Sequence, residues 1–238
     1  ISLITDFYTG YMMCLFVALY TFYVVFSSDA SLKEAVQRIA RVALFALIGV
    51  GLAAFWLLPV FSALLESKAS AGSTFAWSWN PVNDLVAMPQ KFILGSFGEK
   101  EWGDSKALPQ LFIGGLGLFG LCTFFAKKEI TIRKKLAATV VLLVLLLSFS
   151  IQGFDQIWHM GQRPVGFYFR NSWVANSFML VLASESLMQW KDEFRLNEFL
   201  VAISGFGTIL VLSTLRSLQY VETSQKILAF IIWTIILL

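Results

Sequence analysis

The chain has 238 residues, of which 58% are hydrophobic and only 14% charged, whereas soluble globular proteins carry about 25% charged residues. This composition excludes a soluble domain and predicts an integral membrane protein. The formal net charge of +3 is small. The basic residues are concentrated in short loops, which indicates how the chain is oriented in the membrane. No nucleic-acid partner is therefore expected.

Seven apolar segments are long enough, or nearly so, to cross a bilayer, which needs roughly 20 residues. They lie near 9–27, 42–65, 109–126, 136–151, 170–190, 198–219 and from 227 onward. The predicted fold is therefore all-α, a single polytopic helical transmembrane domain over 1–238. Because the last segment stops within its apolar run and the first residue is Ile1, we expect an internal piece of a larger protein.

The loop at 28–41 contains a helix start. Ser31 and Glu34 have the spacing of a capping box. Apolar residues then recur on one face and polar residues on the other, which predicts an amphipathic helix at the cytoplasmic surface. An extended beginning of the second span is the alternative.

The loop at 66–108 is too long for a simple connection, and such loops are usually functional or disordered. Its apolar content predicts a segment between Pro81 and Gly98 that lies on the membrane or folds back into it. Trp77 and Trp79 are expected to anchor at the membrane interface or to stack on a substrate ring. Three acidic residues follow, for which a solvated turn is favoured over a cation site: Glu99, Glu101 and Asp104.

The stretch "GGLGLFG" at 114–120 matches a dinucleotide-binding fingerprint, but that motif needs a preceding strand. The glycines instead lie in an apolar span. Gly114, Gly117 and Gly120 predict a stripe of small residues that lets another helix approach closely.

The loop "KKEITIRKK" at 127–135 carries five basic residues, which predicts a cytoplasmic loop. Alternation then places 28–41 and 191–197 inside as well. The same alternation places the long loop at 66–108, the segment at 152–169 and the turn at 220–226 outside.

The outer segment at 152–169 and the start of the fifth span gather unusual polar residues. His159, Gln162, Arg163 and Arg170 stand among aromatic residues beside helix-breaking Gly161 and Pro164. Arginine suits phosphate oxygens, and a helix N-terminus adds further donors for an anion. The pattern predicts a site for an amphiphile whose phosphate lies at headgroup level; an interfacial belt of snorkelling arginines and aromatic residues is the alternative.

A family resemblance covers the chain from its start to about residue 190. It rests on "TDFYTGYM" at 5–12, "LLPVFSALLESKA" at 57–69, "KFILGSFG" at 91–98, "LFIGGLGLFGL" at 111–121 and "LLLSFSIQGFDQIWHMGQRPVGFYFRNSW" at 145–173. In that order these segments resemble the central part of the YfhO family of bacterial polytopic membrane proteins, which is assigned to the GT-C glycosyltransferase superfamily.

The resemblance implies an enzyme of the bacterial cytoplasmic membrane whose active face is extracytoplasmic. Such an enzyme transfers a sugar from an undecaprenyl-phosphate carrier to a cell-envelope polymer of the teichoic-acid type. In GT-C enzymes the general-base Asp lies in the first outer loop, so the resemblance places it before Ile1 and predicts that this piece is inactive alone. No cofactor is required, no metal site is predicted, and assistance by a divalent metal is left open.

The outer loops at 66–108 and 152–169 are expected to form the candidate site together, and the resemblance implies its residues. Arg170 and His159 are expected to bind the carrier phosphate, with Gln162 and Trp158 contacting sugar or phosphate and Lys91 as a further phosphate contact. Asp6 and Tyr8, at the start of the first span, are candidates for acceptor or metal contact. For Asp6, a helix cap is the alternative.

Two other functions remain open. The same phosphate-binding mouth would suit a flippase or exporter of a lipid-linked precursor, but the spans carry almost no ionisable residues, and such residues mark transport paths. The other alternative is a non-catalytic membrane scaffold whose outer residues act only as anchors in the lipid.

Overall fold

A computed structural model describes residues 2–66, 77–97, 101, 107–161, 168–189, 196–215 and 221–237. The described residues form helices and turns, without a strand. The α-helices are α1 (Ser2–Thr5), α2 (Phe7–Ser27), α3 (Leu32–Glu66), α4 (Gly114–Ala126), α5 (Ile132–Ser150), α6 (Gln152–Trp158), α7 (Ser172–Met188), α8 (Leu196–Leu215) and α9 (Thr223–Leu237), and a 3₁₀ helix spans Leu85–Phe92.

Each of the seven predicted spans overlaps one of these helices. By length and apolar composition, three segments of the described residues can cross a membrane: Phe7–Ser27, Leu32–Ala63 and Leu196–Thr214. Two shorter helices, Gly114–Ala126 and Thr223–Leu237, are also apolar. The membrane character of the chain is therefore supported, while the count of seven spans stays a prediction.

The amphipathic segment at 28–41 is not a separate helix. Ser31 N–H donates to Glu34 Oε2 at 2.8 Å, and Glu34 N–H donates to Ser31 Oγ at 3.4 Å, which confirms the predicted capping box. These hydrogen bonds also lower the pKa of Glu34. The helix that starts there continues to Glu66. At 1.5 Å per residue it is roughly 50 Å long, more than the hydrocarbon core requires, so one helix provides both the polar start and the span.

The third predicted span begins later than the sequence suggests. We predicted a start near residue 109, but α4 begins at Gly114, whose φ is +77°. That left-handed conformation cannot continue a helix, so it marks the helix start. Residues 107–113, which lead into α4, form no strand, in agreement with rejecting the dinucleotide motif.

The helices cluster into two compact units. Unit 1 comprises Ile1–Asn80 and Ile132–Pro164, and unit 2 comprises Pro81–Thr131 and Val165–Leu238. The single transmembrane domain over 1–238 stays a prediction.

In unit 1, α2 packs against α5 and α3, and α6 packs against α5. Arg133 Nη1 lies 3.0 Å from Asp29 Oδ1. At the other end, Tyr11 Oη donates to the carbonyl of Ile157, the residue before the end of α6, at 2.7 Å. These two contacts show that α2 and α5 run antiparallel. Loops 28–41 and 127–135, which the sequence places on one side, thus meet at one end of this unit through Asp29 and Arg133.

In unit 2, α4 packs against α7 and α8. A Cβ added to Gly120 would lie 2.9 Å from the carbonyl oxygen of Ala183, and the hydroxyl oxygens of Thr123 and Ser186 are 2.8 Å apart. The residue numbers rise together, so α4 and α7 run parallel. A core of α4, α8 and α9 side chains completes the unit, in which Phe206 and Trp233 stack at 4.8 Å between ring centroids.

Candidate functional site

The short helix α6 positions the polar residues of unit 1. The sequence predicts a loop at 152–169, but residues 152–158 form a helix because its first N–H groups find backbone acceptors. Gln152 N–H donates to Asn80 O at 3.0 Å and Gly153 N–H to Ser78 O at 2.9 Å. Such partners satisfy the donors that a helix start otherwise leaves open.

An aromatic group lies on this helix start. The rings of Trp77, Trp79 and Phe154 pack edge to face, with centroids 5.1 to 6.3 Å apart. A Cβ at Gly153 would meet the Trp77 ring at 2.9 Å, so glycine is required for this packing. Trp79 stays 68% exposed, which fits both the anchoring and the stacking interpretation.

His159 ends α6 and is almost closed to solvent, with 3% of the residue exposed. Its Nδ1 lies 2.8 Å from the backbone carbonyl oxygen of Asp155 and 3.5 Å from Asp155 Oδ1. The ring of Tyr8 contacts it with centroids 5.9 Å apart. The turn that follows is tight, since Met160 and Gly161 have φ of +56° and +83°.

Asp155 is a site residue that the sequence reasoning missed. The residue is 4% exposed, and burial raises the pKa of its carboxyl to about 7. The sequence could have indicated it through its spacing to His159, because residues i and i+4 lie on the same face of a helix. The carboxylate of Asp155 therefore adds a titratable group to the predicted site.

Asp6 and Tyr8 lie where the first turn of α2 begins. Asp6 Oδ1 accepts hydrogen bonds from the N–H groups of Tyr8 and Thr9 at 3.1 and 3.3 Å. Asp6 is thus the N-cap of α2, the alternative that the sequence left open, and Tyr8 connects this turn to His159.

An apolar groove of about 370 Å³ adjoins this region in unit 1. Its walls come from α1, α2 and α3 together with Met160, the residue after His159. Phe7 and Tyr11 line it, one residue before and three after Tyr8. The volume is in the range of small-ligand pockets. The residues that line it are Leu3, Phe7, Tyr11, Cys14, Val50, Leu57, Leu58, Val60, Phe61 and Met160.

The remaining candidates differ in their surroundings. Trp158 is buried. Arg170 belongs to unit 2 and is exposed immediately before α7. Gln162 lies outside the described residues, as do Arg163, Glu99 and Asp104.

Lys91 is enclosed within unit 2. It lies in the last turn of the 3₁₀ helix. That helix begins after its N-cap Asp84, and Asp84 Oδ1 accepts a hydrogen bond from the N–H of Val86 at 3.0 Å. The Lys91 Nζ donates to the carbonyl of Ser96 at 2.5 Å and to Glu101 Oε1, and both ion-pair side chains are closed to solvent. Burial lowers the pKa of Lys91, while its partner Glu101 opposes that shift.

Metal-binding geometry is absent from the part of the chain that the structure describes: no group of three or more His, Cys, Asp or Glu side chains is placed to hold an ion. Glu101, one of three acidic residues weighed for a cation site, is paired with Lys91 instead.

Comparison with known proteins gives one match. The family model described as "Bacterial membrane protein YfhO" matches residues 1–238. A search of curated proteins and a search of solved structures each found no match to the chain.

Proposed function

Because the chain belongs to the YfhO family of bacterial membrane proteins, we propose that it forms part of a membrane glycosyltransferase. The enzyme takes a sugar from an undecaprenyl-phosphate carrier and adds it to a cell-envelope polymer of the teichoic-acid type. The reaction takes place on the outer face of the bacterial cytoplasmic membrane.

The observation that carries the proposal is the arrangement in unit 1 of an apolar groove beside buried polar groups. Phe7, Tyr11 and Met160 line the groove, while Tyr8 and His159, their neighbours in sequence, contact each other. A lipid-linked sugar needs both environments, since its isoprenoid tail is apolar and its phosphate and sugar are polar. In this proposal the tail enters the groove and the phosphate lies at His159.

Other residues have proposed roles of their own. Arg170, exposed at the start of α7, is a proposed phosphate contact because its guanidinium is permanently charged and forked. Gln162 and Trp158 keep their proposed role as contacts to sugar or phosphate. We leave Lys91 out, because its ammonium group already binds Glu101 and Ser96 in a closed environment.

The test is transfer by the complete protein that contains this chain, in membrane vesicles supplied with radiolabelled undecaprenyl-phosphate sugar. We expect label in the envelope polymer. His159→Ala and Arg170→Ala are each expected to lower the rate about ten- to a hundredfold, the effect of losing a charge-assisted hydrogen bond. Arg41→Ala, which removes an exposed arginine of α3, is the matched control and should transfer at the wild-type rate.

Protein level and topology are measured in parallel for every variant. Transfer that survives both substitutions would identify His159 and Arg170 as interface anchors and overturn their proposed role. Labelled lipid that crosses the membrane without any transfer would contradict the glycosyltransferase and favour the flippase.

A further inference from the structure

A cavity of about 450 Å³ opens in unit 2 where α4 ends and α8 begins. It shares no lining residue with the apolar groove of unit 1, and the proposed sugar transfer gives it no task. Its volume is in the range of small-ligand pockets. Loop charge predicts that this end of unit 2 is cytoplasmic. The lining residues are Ala126, Lys128, Glu129, Leu196, Asn197 and Glu198.

A buried ion pair joins the two helix ends at this cavity. Lys127 Nζ lies 3.0 Å from Glu198 Oε2, with side-chain exposures of 3% and 6%. Lys127 Nζ also donates to the carbonyl oxygen of Gln189, the residue after α7, at 3.4 Å. Glu198 stands in the first turn of α8, where a negative charge is favoured. Because the two buried charges compensate each other, the remaining lining groups determine what the cavity binds.

The exposed lining residues carry charges of both signs. Lys128 and Glu129 are neighbours in the turn after α4, and both are exposed. Asn197, also exposed, adds an amide group that can donate and accept hydrogen bonds. The start of α8 favours an anion, because its first N–H groups point out of the helix. A ligand therefore meets a cationic side, formed by Lys128 and the start of α8, and the carboxylate of Glu129.

This balance of charge selects the class of ligand. The two lysines at 127 and 128 and the two glutamates at 129 and 198 have a formal sum of zero. A site without net charge has little attraction for a polyanion, whose gain at Lys128 is offset by repulsion from Glu129. A zwitterion is complementary to it, since a phosphate and an ammonium group in one molecule each face the opposite charge.

The position of the cavity indicates where such a zwitterion comes from. The segment Leu196–Thr214 is long and apolar enough to cross a membrane, so its first residues lie at the level of the lipid headgroups. Leu196 is 58% exposed beside Asn197 and offers an apolar surface for the glycerol and the upper acyl chains. Basic groups at the cytoplasmic end of a span commonly bind lipid phosphates.

We propose that this cavity binds the headgroup of an aminophospholipid of the cytoplasmic leaflet, a lipid that carries a phosphodiester and a primary ammonium group. The phosphate lies against Lys128 and the start of α8, and the ammonium group lies against Glu129. The bound headgroup holds the end of α4 and the beginning of α8 together. The proposal goes beyond the sugar transfer and does not depend on it.

Native mass spectrometry of the complete protein that contains this chain tests the site. Phosphatidylethanolamine, phosphatidylcholine and phosphatidylglycerol with identical acyl chains are added in equal amounts, and the lipid that stays bound is counted. Phosphatidylcholine carries a trimethylated ammonium group that cannot donate a hydrogen bond, and phosphatidylglycerol has no ammonium group. We expect phosphatidylethanolamine to be retained about two- to fivefold more than either, the range that exposed charge pairs contribute.

Variants assign the retained lipid to the cavity. Lys128→Gln should lower the retention of phosphatidylethanolamine and phosphatidylglycerol by a similar factor, because both carry the phosphate. Glu129→Gln should remove the preference between these two lipids. Asn197→Trp fills the cavity without changing its charge and should abolish the preference as well. Lys33→Gln removes an exposed lysine of α3 and is the matched control. Thermal unfolding of each variant is measured in parallel.

Three outcomes would overturn the proposal. Equal retention of the three lipids by the wild type is the first, and a preference that Glu129→Gln and Asn197→Trp leave unchanged is the second. The third comes from soluble glycerophosphoethanolamine, added as a competitor: displacement of the lipid at equal concentration would make a soluble molecule the ligand. Absence of sugar transfer bears on the proposed function alone.

Discussion

At the scale of single residues, Lys91 and Glu101 are joined in an ion pair that solvent does not reach. Lys91 Nζ also donates to the carbonyl of Ser96, so one ammonium group connects the end of the 3₁₀ helix to two later points of the chain. Removing one member of a buried pair leaves its partner as an uncompensated charge. The pair therefore stabilises the fold around the 3₁₀ helix.

Lys91→Met should lower the free energy of unfolding by about 3–5 kcal/mol, because Glu101 loses its cation. Thermal unfolding in detergent micelles measures this effect. The double variant Lys91→Met, Glu101→Leu should recover most of the loss. Arg133→Met, which breaks an exposed pair with Asp29, should cost less than about 1 kcal/mol. A single variant as stable as the wild type would contradict the structural role.

Asp6 allows its two roles to be separated by substitution. As an N-cap, Asp6→Asn should be nearly neutral because an amide oxygen also accepts hydrogen bonds, whereas Asp6→Ala should cost about 1 kcal/mol. Thermal unfolding tests the cap. If Asp6→Asn unfolds like the wild type but loses sugar transfer, the carboxylate also acts in acceptor or metal contact.

At the scale of helices, glycine determines how closely α4 approaches its neighbour. Gly117 and Gly120 face Leu180 and Ala183 of α7, which confirms the close approach predicted from the small-residue stripe. Gly114 differs, since a Cβ there would meet nothing within 4 Å and its positive φ makes it the start of the helix instead. The spacing of the glycines predicted a contact face, but only the structure separates packing glycines from a turn glycine.

Gly120→Ala should destabilise unit 2 by about 1–3 kcal/mol, the usual effect of adding a group to a packed contact. The new methyl group would lie 2.9 Å from the Ala183 carbonyl oxygen, where backbone cannot easily give way. Gly207→Ala in α8 is the control, because its Cβ enters open space and alanine favours the helix by up to about 1 kcal/mol. Equal thermal stability of both variants would argue against close packing of α4 on α7.

At the scale of the whole molecule, each unit brings together loops that the positive-inside pattern assigns to one side. In unit 1 Arg133 pairs with Asp29, and in unit 2 Lys127 pairs with Glu198 at 3.0 Å. Toward the other end of unit 2, Gln225 donates to the carbonyl of Gly95 at 2.8 Å. Membrane orientation itself stays a prediction from loop charge.

Cysteine labelling in intact cells tests that orientation. In a background where Cys14 and Cys122 are replaced by Ala, a membrane-impermeant thiol reagent should modify Asn80→Cys and Glu222→Cys from outside. Lys33→Cys and Lys128→Cys should react only after the cells are opened, because their loops carry the basic excess. Labelling of Lys33→Cys in intact cells would contradict the predicted orientation and the outer position of α6.

The sequence alone determined the membrane character, the approximate position of every long helix and the family. These properties depend on local hydropathy and on short motifs, which are set by residues close together in the sequence and need no tertiary contact. It also indicated His159 and its constrained turn, but it left the segment before it as a loop, because the acceptors that allow α6 to form come from Ser78 and Asn80, more than seventy residues earlier.

Only the tertiary structure decided which side chains meet and how deeply they are buried. Lys91 changed from a proposed phosphate contact to the partner of Glu101, and Asp155 became a titratable group beside His159. Burial raises the pKa of that carboxyl, and burial is a property of the packed helices around it. The pattern of charged residues in the sequence does not predict this burial, since the free-energy cost of an ionised group depends on how much water the fold excludes.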